Sequence, residues 1–229
     1  MMFRDRRFVM RYLIALAGVA AFTLLGLPAY GSTAGPLITT VGTYGYAVTG
    51  STYTSTTADW TMPALKCTAA TSGDEIAIWT GLDGYASPTV EQIGAGAYCS
   101  SGTTTYYGWY DLYPNSTVDF SSTLKSGDQL DASVSYSDSE FTLKLQDVTQ
   151  GWTQTVVKAL AGAVRSSAET IVEVPSTLSC APSETLAAFT GDTVDGTALG
   201  SLSPTEVTGS DPDIVVSAVS GKDFTVTCK

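Results

Sequence analysis

The chain has 229 residues, with 22 acidic side chains against 11 basic ones and no histidine, for a formal net charge of −11. A surface that acidic argues against nucleic acid or anionic membrane as a partner, and the missing histidine excludes Ser-His-Asp and Cys-His catalysis and any His-based zinc site. Once the carboxylates protonate, few positive charges remain to repel one another, so the composition suits an acidic medium.

At the N-terminus, Arg4, Arg6, Arg7 and Arg11 precede an apolar run from Tyr12 to Leu27, followed by Pro28, Ala29, Gly31 and Ser32. That layout predicts a secretory signal peptide over 1–31 and a single exported domain over 32–229. The run falls short of the roughly 20 residues that span a bilayer, so no stable membrane association is expected after cleavage, and the protein is expected outside the cell. The four cysteines, Cys67, Cys99, Cys180 and Cys228, lack CxxC spacing and read as two disulfides rather than metal ligands. Three pairings are open; Cys67 with Cys99 and Cys180 with Cys228 is favoured because each joins neighbouring segments.

From Leu37 onward, alternation dominates. TADWTMP, DEIAIWTGLDG, TTTYYGWYDLYP, DQLDASVSYSD, SEFTLKLQDV and ETIVEVP read as strands rich in Val, Ile, Thr, Tyr and Trp, bounded by turn signals such as the SGD at 72–74 and at 126–128. Only VVKALAGAV, 156–164, hints at a short helix. About a dozen to fourteen strands without a linker or repeat predict one all-β sandwich of two antiparallel sheets. Parity then sorts the side chains: Trp79, Gly81 and Asp83 share one face of their strand, while Ile76, Ile78 and Thr80 share the other. Tyr107, Trp109, Asp111 and Tyr113 lie together, as do Glu169, Ile171 and Glu173, so at least three strands put carboxylates and aromatics on one face. An ordinary solvated sheet face would look similar, and Asp83 before Gly84 also fits a turn.

WTGLDG, PTVEQIG, WYDLYP, SGDQLDASV and SAETIVEVP, in this order, resemble the glutamic peptidases (eqolisins), a family of secreted acid endopeptidases; the similarity runs from about Tyr44 to the C-terminus. The resemblance implies a lectin-like, concanavalin-type sandwich of two antiparallel sheets of about seven strands, no cofactor or metal, and protein or peptide substrates; the chain is expected to be a monomer. It implies a catalytic pair, Gln92 from VEQIG and Glu173 from the family's AE-x-I-(I/V)-E motif. Glu173 would act on water as general base and then on the leaving amine as acid, with Gln92 stabilising the oxyanion. On this reading Gln92 faces a cleft and Glu91 the opposite side or an edge. A hydrogen-bonded Glu173 is expected to stay ionised in acid. Tyr44, Trp79, Asp83, Trp109 and Asp111 become candidate substrate-binding residues, with Tyr44 standing where the family has a cleft tryptophan and Asp111 where it has a glutamate. Two other readings fit the same face. A carbohydrate-binding module would present the aromatics as a sugar platform, and a glycosidase would pair Glu173 with Asp83 or Asp111 at a defined carboxyl separation.

Overall fold

The computed structural model describes residues 42–229 apart from 86 and 175–177. The expected signal peptide lies outside the described residues. In chain order the strands are β1 (Thr43–Thr49), β2 (Ser55–Thr61), β3 (Glu75–Asp83), β4 (Val90–Ser100), β5 (Thr103–Tyr113), β6 (Val118–Asp119), β7 (Gln129–Ser137) and β8 (Glu140–Asp147). They continue as β9 (Trp152–Lys158), β10 (Ser167–Glu173), β11 (Thr185–Val194), β12 (Thr197–Ala198), β13 (Thr205–Val207), β14 (Ile214–Val216) and β15 (Phe224–Cys228), with one 3-10 turn at Leu199–Ser201. The helix hinted at over 156–164 does not form: its first three residues finish β9 and the rest is a turn around Gly162, because the strand partner β8 claims the backbone groups that a helix would need.

Two antiparallel sheets face each other. The first runs β13-β1-β10-β3-β4-β5-β6 and the second β14-β15-β11-β2-β7-β8-β9, with β12 added beside β11. Alternate residues of both sheets point inward and form one core. Ile76, Ile78 and Leu82 of β3, Ile93, Ala95 and Ala97 of β4 and Ala168 and Val172 of β10 meet Leu130, Ala132 and Val134 of β7 and Phe141, Leu143 and Leu145 of β8. Thr80 is the polar exception on the inward face of β3. Its hydroxyl donates to the Glu169 carbonyl (2.8 Å) and lies 2.9 Å from the Thr56 hydroxyl of the opposite sheet, so the buried group is satisfied. Disulfides join Cys67 to Cys99, tying the loop before β3 to β4, and Cys180 to Cys228, tying the approach to β11 to the last strand.

Candidate active site

The site lies on the outer face of the first sheet. Residues directly opposite in an antiparallel ladder share a face, and the register across β10, β3, β4 and β5 builds three successive rows. The first is Glu169, Gly81, Gln92, Asp111; the second is Ile171, Trp79, Gly94, Trp109; the third is Glu173, Ala77, Gly96, Tyr107. Four chain segments thus place Gln92, Asp111, Trp79, Trp109 and Glu173 on one surface.

Glycines shape this surface. A Cβ on Gly94 would fall on the Ile78 carbonyl oxygen and stand 2.7 Å from the Trp79 Cβ, and one on Gly96 would stand 2.6 Å from the Tyr107 hydroxyl. Two positions of β4 without side chains let the Trp79 and Tyr107 side chains lie across the strand. They join Trp109, Ala77, Ile171, Ala47 and Val207 in a second, smaller apolar cluster outside the main core. Trp79 and Trp109 are 2% and 5% exposed, so they form a packed floor rather than the open aromatic platform on which a sugar would stack.

Polar groups are fixed on that floor. The Trp79 indole Nε1–H donates to Glu173 Oε2 (3.4 Å), the Gln92 Nε2–H donates to Asp111 Oδ2 (3.4 Å), and the Tyr107 hydroxyl donates to Glu75 Oε1 (2.9 Å). Gln92 is buried, and its carbonyl oxygen has no hydrogen-bond partner. Glu173 is partly exposed at the end of β10. Burial pushes its carboxyl up to about 7, the charges of Glu75 and Asp111 push the same way, and the Trp79 donor opposes them. Burial likewise raises Asp111 to about 6 against the hydrogen bonds from Gln92, Thr117 and the Leu112 amide. Against the expectation that Glu173 stays ionised in acid, desolvation outweighs the long hydrogen bond from Trp79 and draws the carboxyl toward its protonated form.

The other expected site residues take different places. Tyr44 pairs with Val172 on the inward face of β1, is fully buried in the main core, and accepts a hydrogen bond from the Asp211 amide (3.0 Å). It does not join the outer face. Asp83 ends β3 with φ +62° and no exposed surface, its carboxylate held by the amides of Val164 (2.9 Å), Arg165 (2.6 Å) and Ser166 (2.8 Å). It anchors a turn instead of facing a substrate. Glu91 points into the core, opposite Leu82 and Leu112. Glu169 shares the row of Gln92, but it is 1% exposed and accepts from the Tyr85 amide (3.3 Å). Glu75, Gly94 and Gly96 belong to the site without having been singled out for it, and Tyr107 is placed on this face by parity without a role; the GAG inside a strand pattern was the available signal. Among the described residues, no group of three or more Asp, Glu or Cys side chains is arranged to hold a metal ion, and no helix is long and apolar enough to cross a membrane.

Comparison with known proteins adds the chemistry. Scytalido-glutamic peptidase, solved with a transition state analog inhibitor, is 24% identical, covering 82% of this chain and 98% of that one, with a TM-score of 0.69. SCP-B, a member of the eqolisin family, is 22% identical over 82% of this chain and 98% of its own, with a TM-score of 0.62. Aspergilloglutamic peptidase from Aspergillus niger is 24% identical over 68% and 99%, with a TM-score of 0.56. At these identities the likeness is one of fold. No curated protein matches the chain. The sequence model of the peptidase A4 family, however, matches residues 42–227. The chain belongs to that family, the glutamic peptidases or eqolisins, and is a hydrolase of peptide bonds.

Proposed function

We propose that the protein is a secreted acid endopeptidase in which Glu173 and Gln92 act together on one water molecule and the scissile carbonyl. The observation that carries this reading is the asymmetry of the two glutamates on β10. Glu169 is enclosed and held by a backbone amide, whereas Glu173 is partly exposed, oriented by Trp79, and on the same face as an amide with an unpartnered carbonyl oxygen.

The raised carboxyl of Glu173 sets the starting state. Below about pH 7 it is protonated. One oxygen gives its proton to the substrate carbonyl oxygen while the other takes a proton from the attacking water, so the carboxyl remains neutral and a tetrahedral diol forms. In the second step Glu173 protonates the departing nitrogen and recovers a proton from the diol as the C–N bond breaks. The base and acid roles on water and amine are both retained, without an anion that acid would suppress. Gln92 contributes through both ends of its amide. Its Nε2 holds Asp111 with one hydrogen and can offer the other to the developing oxyanion, and its Oε1 can accept from the water. While ionised, Asp111 accepts only from the Nε2 end and so sets which end of the amide points where.

Digestion of a denatured protein between pH 2 and 7 tests the assignment. Gln92→Ala is expected to lose about a hundredfold or more in kcat, and Glu173→Gln to lose activity altogether, while Glu169→Gln remains active where it folds. Full activity in Glu173→Gln with loss in Glu169→Gln would reassign the acid; full activity in both Gln92→Ala and Glu173→Gln would reject the pair.

A further inference from the structure

One residue from Gln92 lies a carboxyl group that the reaction does not use. Glu91 points from β4 into the core between Leu82 of β3 and Leu112 of β5. It has no exposed surface; among the described residues neither carboxyl oxygen has a donor in good hydrogen-bond geometry, and the Thr89 side chain favours its charged form only in part. The charged groups that reach it are Asp83 at the end of β3, Arg165 in the turn before β10, and Glu169 on β10. From the opposite sheet β7 and β8 pack against β4, and their inward residues are aliphatic or aromatic as far as the terminal Asp147. Arg165 lies with its guanidinium 3.9 Å from the centre of the Tyr136 ring, over its face.

Asp83 gives this burial a consequence. Its two oxygens accept from the Val164, Arg165 and Ser166 amides, the Ser166 hydroxyl (3.1 Å) and the Thr89 hydroxyl (3.3 Å). Three backbone donors call for an anion there. The anchored turn leads directly into β10, which carries Glu173 at its far end. A second negative charge placed beside Asp83 in the core would meet both the cost of burial and the repulsion of a like charge.

We propose that Glu91 is a proton lock. The fold closes around the Asp83 anchor only while Glu91 is protonated, and its ionisation as the medium turns neutral to alkaline releases the 164–166 turn and loosens β10. Burial first, and then the charge of Asp83, push the Glu91 carboxyl up to about 8, with Thr89 and Arg165 opposing in part. The sign follows. A carboxyl whose folded value is raised above its ordinary 4.5 contributes stability in full below that ordinary value, and loses it as pH climbs toward the folded value.

The test compares wild type with Glu91→Gln and Glu91→Leu by denaturant unfolding from pH 4 to 8, together with hydrogen exchange at the Val164, Arg165 and Ser166 amides. Between pH 5 and 7.5 the folded wild type holds one proton that its unfolded chain releases. The ratio of wild-type to variant unfolding constants should therefore grow about tenfold per pH unit. The three amides should lose protection toward pH 8 in the wild type and keep it in both variants. Parallel pH dependence in wild type and Glu91→Gln overturns the proposal. So does failure of Glu91→Gln to fold at pH 4, where the amide has the shape of the protonated acid.

Discussion

Trp79→Phe removes a hydrogen bond that opposes protonation of Glu173. The indole Nε1–H reaches Glu173 Oε2 at 3.4 Å, beyond the usual range for N–H donors, so its worth lies below the 1.5–3 kcal/mol typical of bonds to charged groups, at about 1 kcal/mol. Because about 1.36 kcal/mol corresponds to one pKa unit, removing the donor should raise Glu173 from about 7 by about 0.7 unit. If catalysis starts from the protonated acid, kcat/KM falls above that pH, and the falling limb moves to higher pH in the variant. Glu75→Gln supplies the opposite sign, since the Glu75 charge raises Glu173 and removing it lowers the limb. Initial rates on a fluorogenic peptide, with circular dichroism at each pH to separate loosening of the fold from titration at the site, give both profiles. The height of the Trp79→Phe profile will also drop because the floor is disturbed; only the position of the limb is at issue. A limb that stays in place or moves to lower pH in Trp79→Phe, or a wild-type profile that rises through pH 7, would refute the protonated starting state.

Gly94→Ala drives a methyl group onto the Ile78 carbonyl and the Trp79 Cβ; overpacking of this kind costs about 1–3 kcal/mol, or a fall of about 3–10 °C in the calorimetric midpoint for a chain of this size. Replacing Cys180 and Cys228 by Ser opens a loop whose ends are 48 residues apart, with an expected loss of about 4 kcal/mol in denaturant titration on the chain-entropy account. Asp83→Asn keeps the shape but turns one acceptor into a donor facing backbone N–H groups, so it should cost about 2–3 kcal/mol by the same assay; a change under half of that would remove Asp83 from its anchoring role. Glu91, Glu169 and Asp192 are all raised chiefly by burial. Each binds its proton more tightly folded than unfolded, so the thermal midpoint should be highest in acid and decline as pH rises from about 5 toward 8. A midpoint that peaks at neutral pH would contradict those burial effects.

Alternation made much of the fold legible because most of the longer strands here turn an apolar face inward. Ile76, Ile78 and Thr80 facing inward against Trp79 and Gly81 facing out is the division that the structure shows on β3, while Asp83 turns aside at the end of the strand into its buried anchor. Tyr44 shows where motif position misleads and periodicity would have served better. In TYGYAV the large residues Tyr44, Tyr46 and Val48 alternate with Gly45 and Ala47, and all three large residues pack into the core. Matching the tyrosine to a cleft tryptophan put it on the wrong side of its own strand. The helix hinted at over 156–164 failed for a related reason, since a short run rich in Val and Ala has no preference strong enough to resist an adjacent strand.

The site was less legible than the fold because its chemistry depends on distances across strands that are far apart in sequence. Parity could say that Glu91 and Gln92 face opposite ways, but not that both would be buried, one among leucines and one against Asp111. Nor could it say which β10 glutamate would be enclosed, since Glu169 and Glu173 have the same parity and differ only in what covers them. Charge follows from that covering. In water Glu91, Glu169 and Glu173 would be anions in mild acid, whereas inside this sheet desolvation first, and then the repulsion of neighbouring carboxylates, shift each toward the neutral acid. A carboxylic acid that keeps its proton is both donor and acceptor, so a chain without histidine can run proton transfer in both directions from one glutamate. The same desolvation that makes Glu173 useful in acid makes Glu91 a liability once the proton leaves, and the two groups sit on strands joined through the Asp83 anchor. If Glu173 and Glu91 act as proposed, activity and stability share one range of pH and one physical cause, burial of carboxyl groups with little cationic charge set against them.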